Sequence, residues 1–131
     1  MSNTTRGRLL RVNQLIIDQA DFFQLDGYHR VTGLGVIDVQ VQLFHDNVPQ
    51  PWVLTSGSGV TDAKVAAGKV YFSEISGAAG CYSVRFRPNV GGYWRLLISY
   101  PTGQQTLAQD YDVTLEPTSV KGTIKASVNG C

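Results

Sequence analysis

The residues able to do chemistry are few and widely spaced. Of two histidines, His29 follows Asp26-Gly27-Tyr28 and His45 precedes Asp46-Asn47. No His-x-x-x-His or Cys-x-x-Cys spacing accompanies either, so neither a zinc site of about four ligands nor an imidazole relay is spelled out. Gly33-Leu34-Gly35 lacks the third glycine and the helix of a dinucleotide fingerprint, and no Gly-x-Ser-x-Gly elbow occurs. Asp110 and Asp112 fall on one face of a strand but supply only two of the roughly six oxygens a calcium ion wants, so they are expected on a solvated face. No carboxylate pair suggests glycoside hydrolysis. The reading is a protein without catalytic residues, cofactor or metal.

Charge and exposed rings are more informative. Tyr82, Val84 and Phe86 alternate with Ser83, Arg85 and Arg87, and after a turn at 88–92 Trp94, Leu96 and Ile98 alternate with Arg95, Leu97 and Ser99. As a hairpin centred on Val90, this pattern sets Phe86 opposite Trp94 on one face and Arg85 opposite Arg95 on the other. Facing like charges destabilise a bare sheet by about a few tenths of a kcal/mol, which calls for compensation. Within the chain, Arg87 would stack on Tyr93 and Arg95 would reach Asp110 or Asp112. Between chains, all three arginines would meet a partner's carboxylates. Arg6, Arg8 and Arg11 would lie across an acidic neighbour unless that end frays. Val120, Ile124 and Val128 would register an added edge strand on a neighbouring subunit, the alternative being a last strand in the chain's own sheet. Tyr28, Trp52 and Tyr93 are candidate exposed anchors, with Trp52, after Pro49 and Pro51, expected in the core.

The elements that must hold these residues read as β throughout. Strand signals recur at Ile37-Val39-Val41-Leu43, Lys69–Ile75, the two segments above, and Tyr111-Val113-Leu115, which Pro117 stops. Residues 61–68 have room for at most a brief helix. A chain of 131 residues is one domain's worth, and its charged fraction of 16% with 14 glycines suits strands joined by tight turns. A net charge of +1 argues against neutralising nucleic-acid phosphates. No apolar run of about 18 residues appears, and residues 1–11 lack a signal-peptide core, so synthesis in a cytoplasm without a membrane span is expected. In that compartment Cys81 and Cys131 are expected as thiols, with a bridge between them as the alternative. The expected layout is an arm over 1–11, an immunoglobulin-like two-sheet β-sandwich over 12–117, and a strand-like tail over 118–131.

Gly80, Tyr82, Val84, Phe86, Pro88, Gly92 and Leu96, within GCYSVRFRPNVGGYWRLLI, resemble the corresponding stretch of filamin-type immunoglobulin-like repeats, and QDYDVTL resembles their last strand. Trp94 stands where those repeats usually carry Tyr, and the first half of the chain shows no such pattern. The resemblance implies the fold and not a cytoskeletal role. One sandwich with an arginine-bearing arm and a tail strand is similar in layout to small immunoglobulin-like accessory proteins of tailed-bacteriophage virions. That layout implies a structural protein of a virion that decorates or cements a capsid through contacts with other virion proteins, or else a tail or neck accessory protein. A carbohydrate-binding module stacking sugars on Tyr28, Trp52 and Tyr93 is the alternative from another class.

Overall fold

The computed structural model describes residues 5–114 and 123–127, with side chains over 12–113. The described residues form ten strands: β1 (Thr5–Arg11), β2 (Leu15–Asp21), β3 (Gln40–His45), β4 (Val48–Gln50), β5 (Val53–Ser56), β6 (Lys69–Glu74), β7 (Cys81–Phe86), β8 (Gly92–Tyr100), β9 (Gln105–Thr114) and β10 (Thr123–Ser127). They make two five-stranded sheets, ordered β1-β9-β8-β3-β4 and β10-β2-β7-β6-β5. This is the two-sheet β-sandwich the strand pattern predicts.

Alternation decides what each sheet turns inward. Tyr82, Val84 and Phe86 of β7, with Ile16, Ala20, Val70 and Phe72, meet Leu43, Trp94, Leu96, Ile98, Tyr111 and Val113 of the opposite sheet. Burying each of these large side chains contributes about 1.5–3 kcal/mol. Aromatic rings pack within and between the layers: Phe72 stacks on Tyr82 of the neighbouring strand at 5.1 Å, and Phe86 meets Tyr111 of the opposite sheet edge-on at 5.4 Å. The second sheet also has a covered outer face. There Leu15, Ile17 and Tyr71 lie beneath Val60 and Val65 of the 57–68 loop, whose helical content is one 3-10 turn, Asp62–Lys64.

The expected hairpin of β7 with β8 does not form. β7 pairs with β2 and β6, β8 pairs with β3 and β9, and residues 87–91 arch from one sheet to the other. Phe86 and Trp94 therefore face each other across the core, and Arg85 and Arg95 are in different sheets. A period of two specifies which face is inward but leaves the hydrogen-bonding partner open. The arch is held by Asn13 N–H donating to the Pro88 carbonyl at 2.7 Å and Trp94 Nε1 donating to the Val90 carbonyl at 3.0 Å.

The strand expected from Ile37 begins at Gln40 instead, and Ile37 is 93% exposed. A local turn takes its place, with Asp38 N–H donating to the Gly35 carbonyl at 3.0 Å and Gly35 N–H donating to Asp38 Oδ2 at 2.7 Å. This side-chain-capped turn competes successfully with a longer ladder. The arm and tail also enter the sheets: β1 pairs in parallel with β9, and β10 in parallel with β2. Cys81 is disulfide-bonded, which overturns the expectation of thiols. The only other cysteine in the sequence, Cys131, lies outside the described residues. The reducing-compartment argument concerned surroundings, whereas strand pairing sets Ser127, the last residue of β10, beside Gln19 of β2, and Cys81 beside Asp21 of that same strand.

Candidate functional site

Between β2 in one sheet and β3 in the other, the 22–38 loop crosses one end of the sandwich. Its base is anchored in the core. Phe22 is fully buried, with its ring 6.0 Å from Tyr82 and 5.8 Å from Tyr100. Phe23 N–H donates to Gln105 Oε1 at 2.6 Å, and Phe23 bridges to Arg30, which closes the segment into a hairpin-like excursion. Arg30 Nε reaches Oδ2 of the buried Asp21 at 2.9 Å. The Tyr82 hydroxyl donates to the Val31 carbonyl at 2.8 Å and accepts from Leu34 N–H at 3.1 Å. Burial raises the Tyr82 pKa, so the phenol keeps the proton it donates. Glu74 bridges the loop to the 75–80 turn, accepting from Gly33 N–H at 3.2 Å and Gly80 N–H at 2.8 Å.

The tip is ordered by one carboxylate. Asp26 Oδ1 accepts from Tyr28 N–H at 2.8 Å and His29 N–H at 3.1 Å, while Oδ2 lies 2.7 Å from His29 Nδ1. These bonds, the one from the His29 side chain first, lower the Asp26 pKa from 3.8 to about 2. Gly27 occupies the left-handed region at φ 69°, as the tight turn requires. Tyr28 meets His29 edge-on at 4.9 Å. The result is an anchored loop with apolar side chains held in water: Leu25 is 81%, Tyr28 80% and Ile37 93% exposed. An open depression of about 360 Å³ adjoins it, lined by Gln24, Leu25, Asp26, Tyr100, Thr102 and Gly103. Such exposed apolar groups on a rigid support are suited to seating against a partner.

The other predicted positions separate. Arg85 is 7% exposed and donates to the Val60 carbonyl at 2.7 Å, the Gly57 carbonyl at 2.9 Å and Asp62 Oδ1 at 2.9 Å. Arg87 donates to the carbonyls of Val65 at 2.7 Å, Asp62 at 2.8 Å and Asn13 at 3.0 Å, where the sequence suggested stacking on Tyr93. These two arginines fasten the 57–68 loop to its own sheet, so the expectation that they meet a partner's carboxylates is corrected. Arg95 lies 3.8 Å from Asp110, the within-chain alternative. Trp52 is half-buried, 5.4 Å from Trp94 and 6.4 Å from Phe86, and belongs to the core.

Tyr93 is half-buried near the start of β8, while the 22–38 loop packs on Tyr100 at its end, roughly 20 Å away along an extended strand. Tyr28, Trp52 and Tyr93 therefore share no groove. Arg6, Arg8 and Arg11 are on β1, and their side chains lie outside the described ones, as do Val120 and Val128 altogether. Ile124 is on β10, paired with Ile16. His45 Nε2 lies 2.8 Å from the Gly91 carbonyl and 3.3 Å from Asp46 Oδ2, bracing the arch. Among the described residues no three His, Cys, Asp or Glu side chains group as a metal site, and no helix is long and apolar enough to cross a membrane.

Leu25, Asp26 and Ile37 are missing from the sequence-based candidates. The Asp26-Gly27 turn was a usable signal, since an Asx turn displays what flanks it. Ile37 was concealed by the alternating pattern it opens. No protein-family model matches the chain, and no curated protein is similar to it in sequence.

Proposed function

We propose that this chain is a non-catalytic assembly module, a structural protein of a tailed-phage virion that decorates or cements the capsid, with the 22–38 loop as its contact to a neighbouring virion protein. The observation that carries the docking role is the exposure of Leu25, Tyr28 and Ile37 on a loop whose base is tied to buried Asp21, Phe22 and Tyr82. Rigid attachment lowers the ordering cost of binding, and apolar contacts repeated over a symmetric lattice gain by effective concentration. The virion setting rests on the similarity of layout, a single sandwich flanked by a strand at each end of the chain.

The test is incorporation. The unaltered chain should co-sediment with assembled particles, and a Leu25→Ser, Tyr28→Ser, Ile37→Ser variant should fold with the same melting temperature yet stay in the supernatant. Equal incorporation of both proteins would remove the loop from the contact, and failure of the unaltered chain to sediment would remove the virion role. A second reading, recognition of a glycan, is favoured by one observation: the Tyr28 ring is open to solvent on the loop that also carries Gln24 and Asp26, which line the depression with Thr102. Binding to a glycan array that is lost on Tyr28→Ala would support it over docking to protein.

A further inference from the structure

Given the docking role of the 22–38 loop, on which this rests, we infer that its occupant is the opposite end of a second copy of this chain, so that copies stack head to tail. Six large apolar side chains stand in solvent among the described residues, and they divide between the two ends of the sandwich. Leu25, Tyr28 and Ile37 are on the loop, whose base packs on Tyr82 near the start of β7 and Tyr100 at the end of β8. Val48, Val53 and Val90 are at the other end, 58%, 60% and 40% exposed. Val48 pairs with His45, which pairs with Trp94 near the start of β8, and the Val90 carbonyl accepts from Trp94 Nε1. Val53 pairs with Lys69, the first residue of β6, which runs antiparallel to β7 and so begins level with the 87–91 arch. The nine residues of β8 hold the two ends roughly 30 Å apart, too far for one molecule to close the contact on itself.

The two ends differ in sign. Around the loop are the carboxylates of Asp21, Asp26, Asp38 and Glu74 and one cation, Arg30, which pairs with the buried Asp21. At the arch end Lys64, Lys69, Arg85 and Arg87 outnumber Asp46 and Asp62. With histidines neutral, the described side chains leave the loop end at −3 and the arch end at +2. Asp26 and Asp38 on one side, Lys64 and Lys69 on the other, are exposed. Each end therefore offers apolar side chains set among charges, and the charges are of opposite sign. Loop on loop, or arch on arch, would bring like charges together, whereas loop on arch joins apolar groups inside a complementary rim. Such a contact uses different patches on the two copies, so it propagates into a ring or an open column instead of stopping at a dimer.

The experiment follows the mass of the full chain by analytical ultracentrifugation at rising concentration. Association beyond the dimer is expected. It should weaken about tenfold or more as salt rises from about 0.01 M to about 0.15 M, because the screening length shortens from about 30 Å to about 8 Å. Lys64→Glu with Lys69→Glu should stay monomeric where the unaltered chain associates. The decisive measurement is complementation. Leu25→Ser, Tyr28→Ser, Ile37→Ser blocks the loop end, and Val48→Ser, Val90→Ser blocks the arch end. Each variant, folded by circular dichroism, should be monomeric alone, and an equimolar mixture should give a dimer of one of each through the two intact ends. A monomer at every concentration overturns the second copy as occupant; loss of particle incorporation in the loop variant would then leave the loop docking on a different protein. An arch-blocked variant that still dimerises overturns the head-to-tail arrangement.

Discussion

Arg85 is a cation held by partners within its own chain. Its guanidinium meets two backbone carbonyls and Asp62, a fork geometry that Lys cannot reproduce. Arg85→Met should lower stability by about 2–4 kcal/mol by urea unfolding, because the Gly57 and Val60 carbonyls lose their donor, and Arg85→Lys should recover only part of it. Asp26 makes a pH prediction. Its pKa falls from 3.8 to about 2 in the folded chain, so its contribution is fully present above the unfolded value and is lost as pH falls through the folded one. The Tyr28 and His29 amide resonances should hold their positions as pH drops through 4 and move together near pH 2, whereas in Asp26→Ala the low-pH step should vanish.

The 22–38 loop depends on elements distant in sequence. The 75–80 turn holds it from one side through Glu74, and Gly80 allows the closest approach. At φ 86°, Gly80 has a conformation that side chains rarely adopt, and a Cβ there would stand 2.8 Å from Arg30 Cβ. Gly80→Ala should cost about 1–3 kcal/mol in thermal unfolding and weaken the Arg30–Asp21 pair, seen as altered Arg30 Nε shifts. The loop's apolar tip would lose its fixed presentation without any change at the tip itself. The arch at 87–91 teaches a related lesson. β7 and β8 were legible as strands, and their inward faces were legible too. Their partners were not, because an arch and a hairpin impose the same alternation on the residues that flank them.

The sandwich as a whole closes around strands contributed from both ends of the sequence, β1 beside β9 and β10 beside β2. The disulfide at Cys81 adds a covalent closure over a long loop, and in the chain-entropy picture a loop of this size is worth about 4 kcal/mol. Urea unfolding with and without reductant should differ by that order, with a comparable loss in Cys131→Ser. A difference near zero would mean that β10 and β2 hold each other without the bond.

Composition and alternation alone determined that the chain is all-β, that its strands form a sandwich, and which residues of β7, β8 and β9 turn inward. Those properties follow from local periodicity and from the area of apolar surface to be buried, both of which are written residue by residue. Tertiary structure decided the rest. It sent Arg85 and Arg87 to an internal loop, separated Tyr93 from Tyr28, joined Cys81 in a disulfide, and left Leu25, Tyr28 and Ile37 in solvent. Each of these depends on which distant segment lies alongside, a choice made by packing and hydrogen-bond competition across the entire chain, and no window of neighbouring residues contains it.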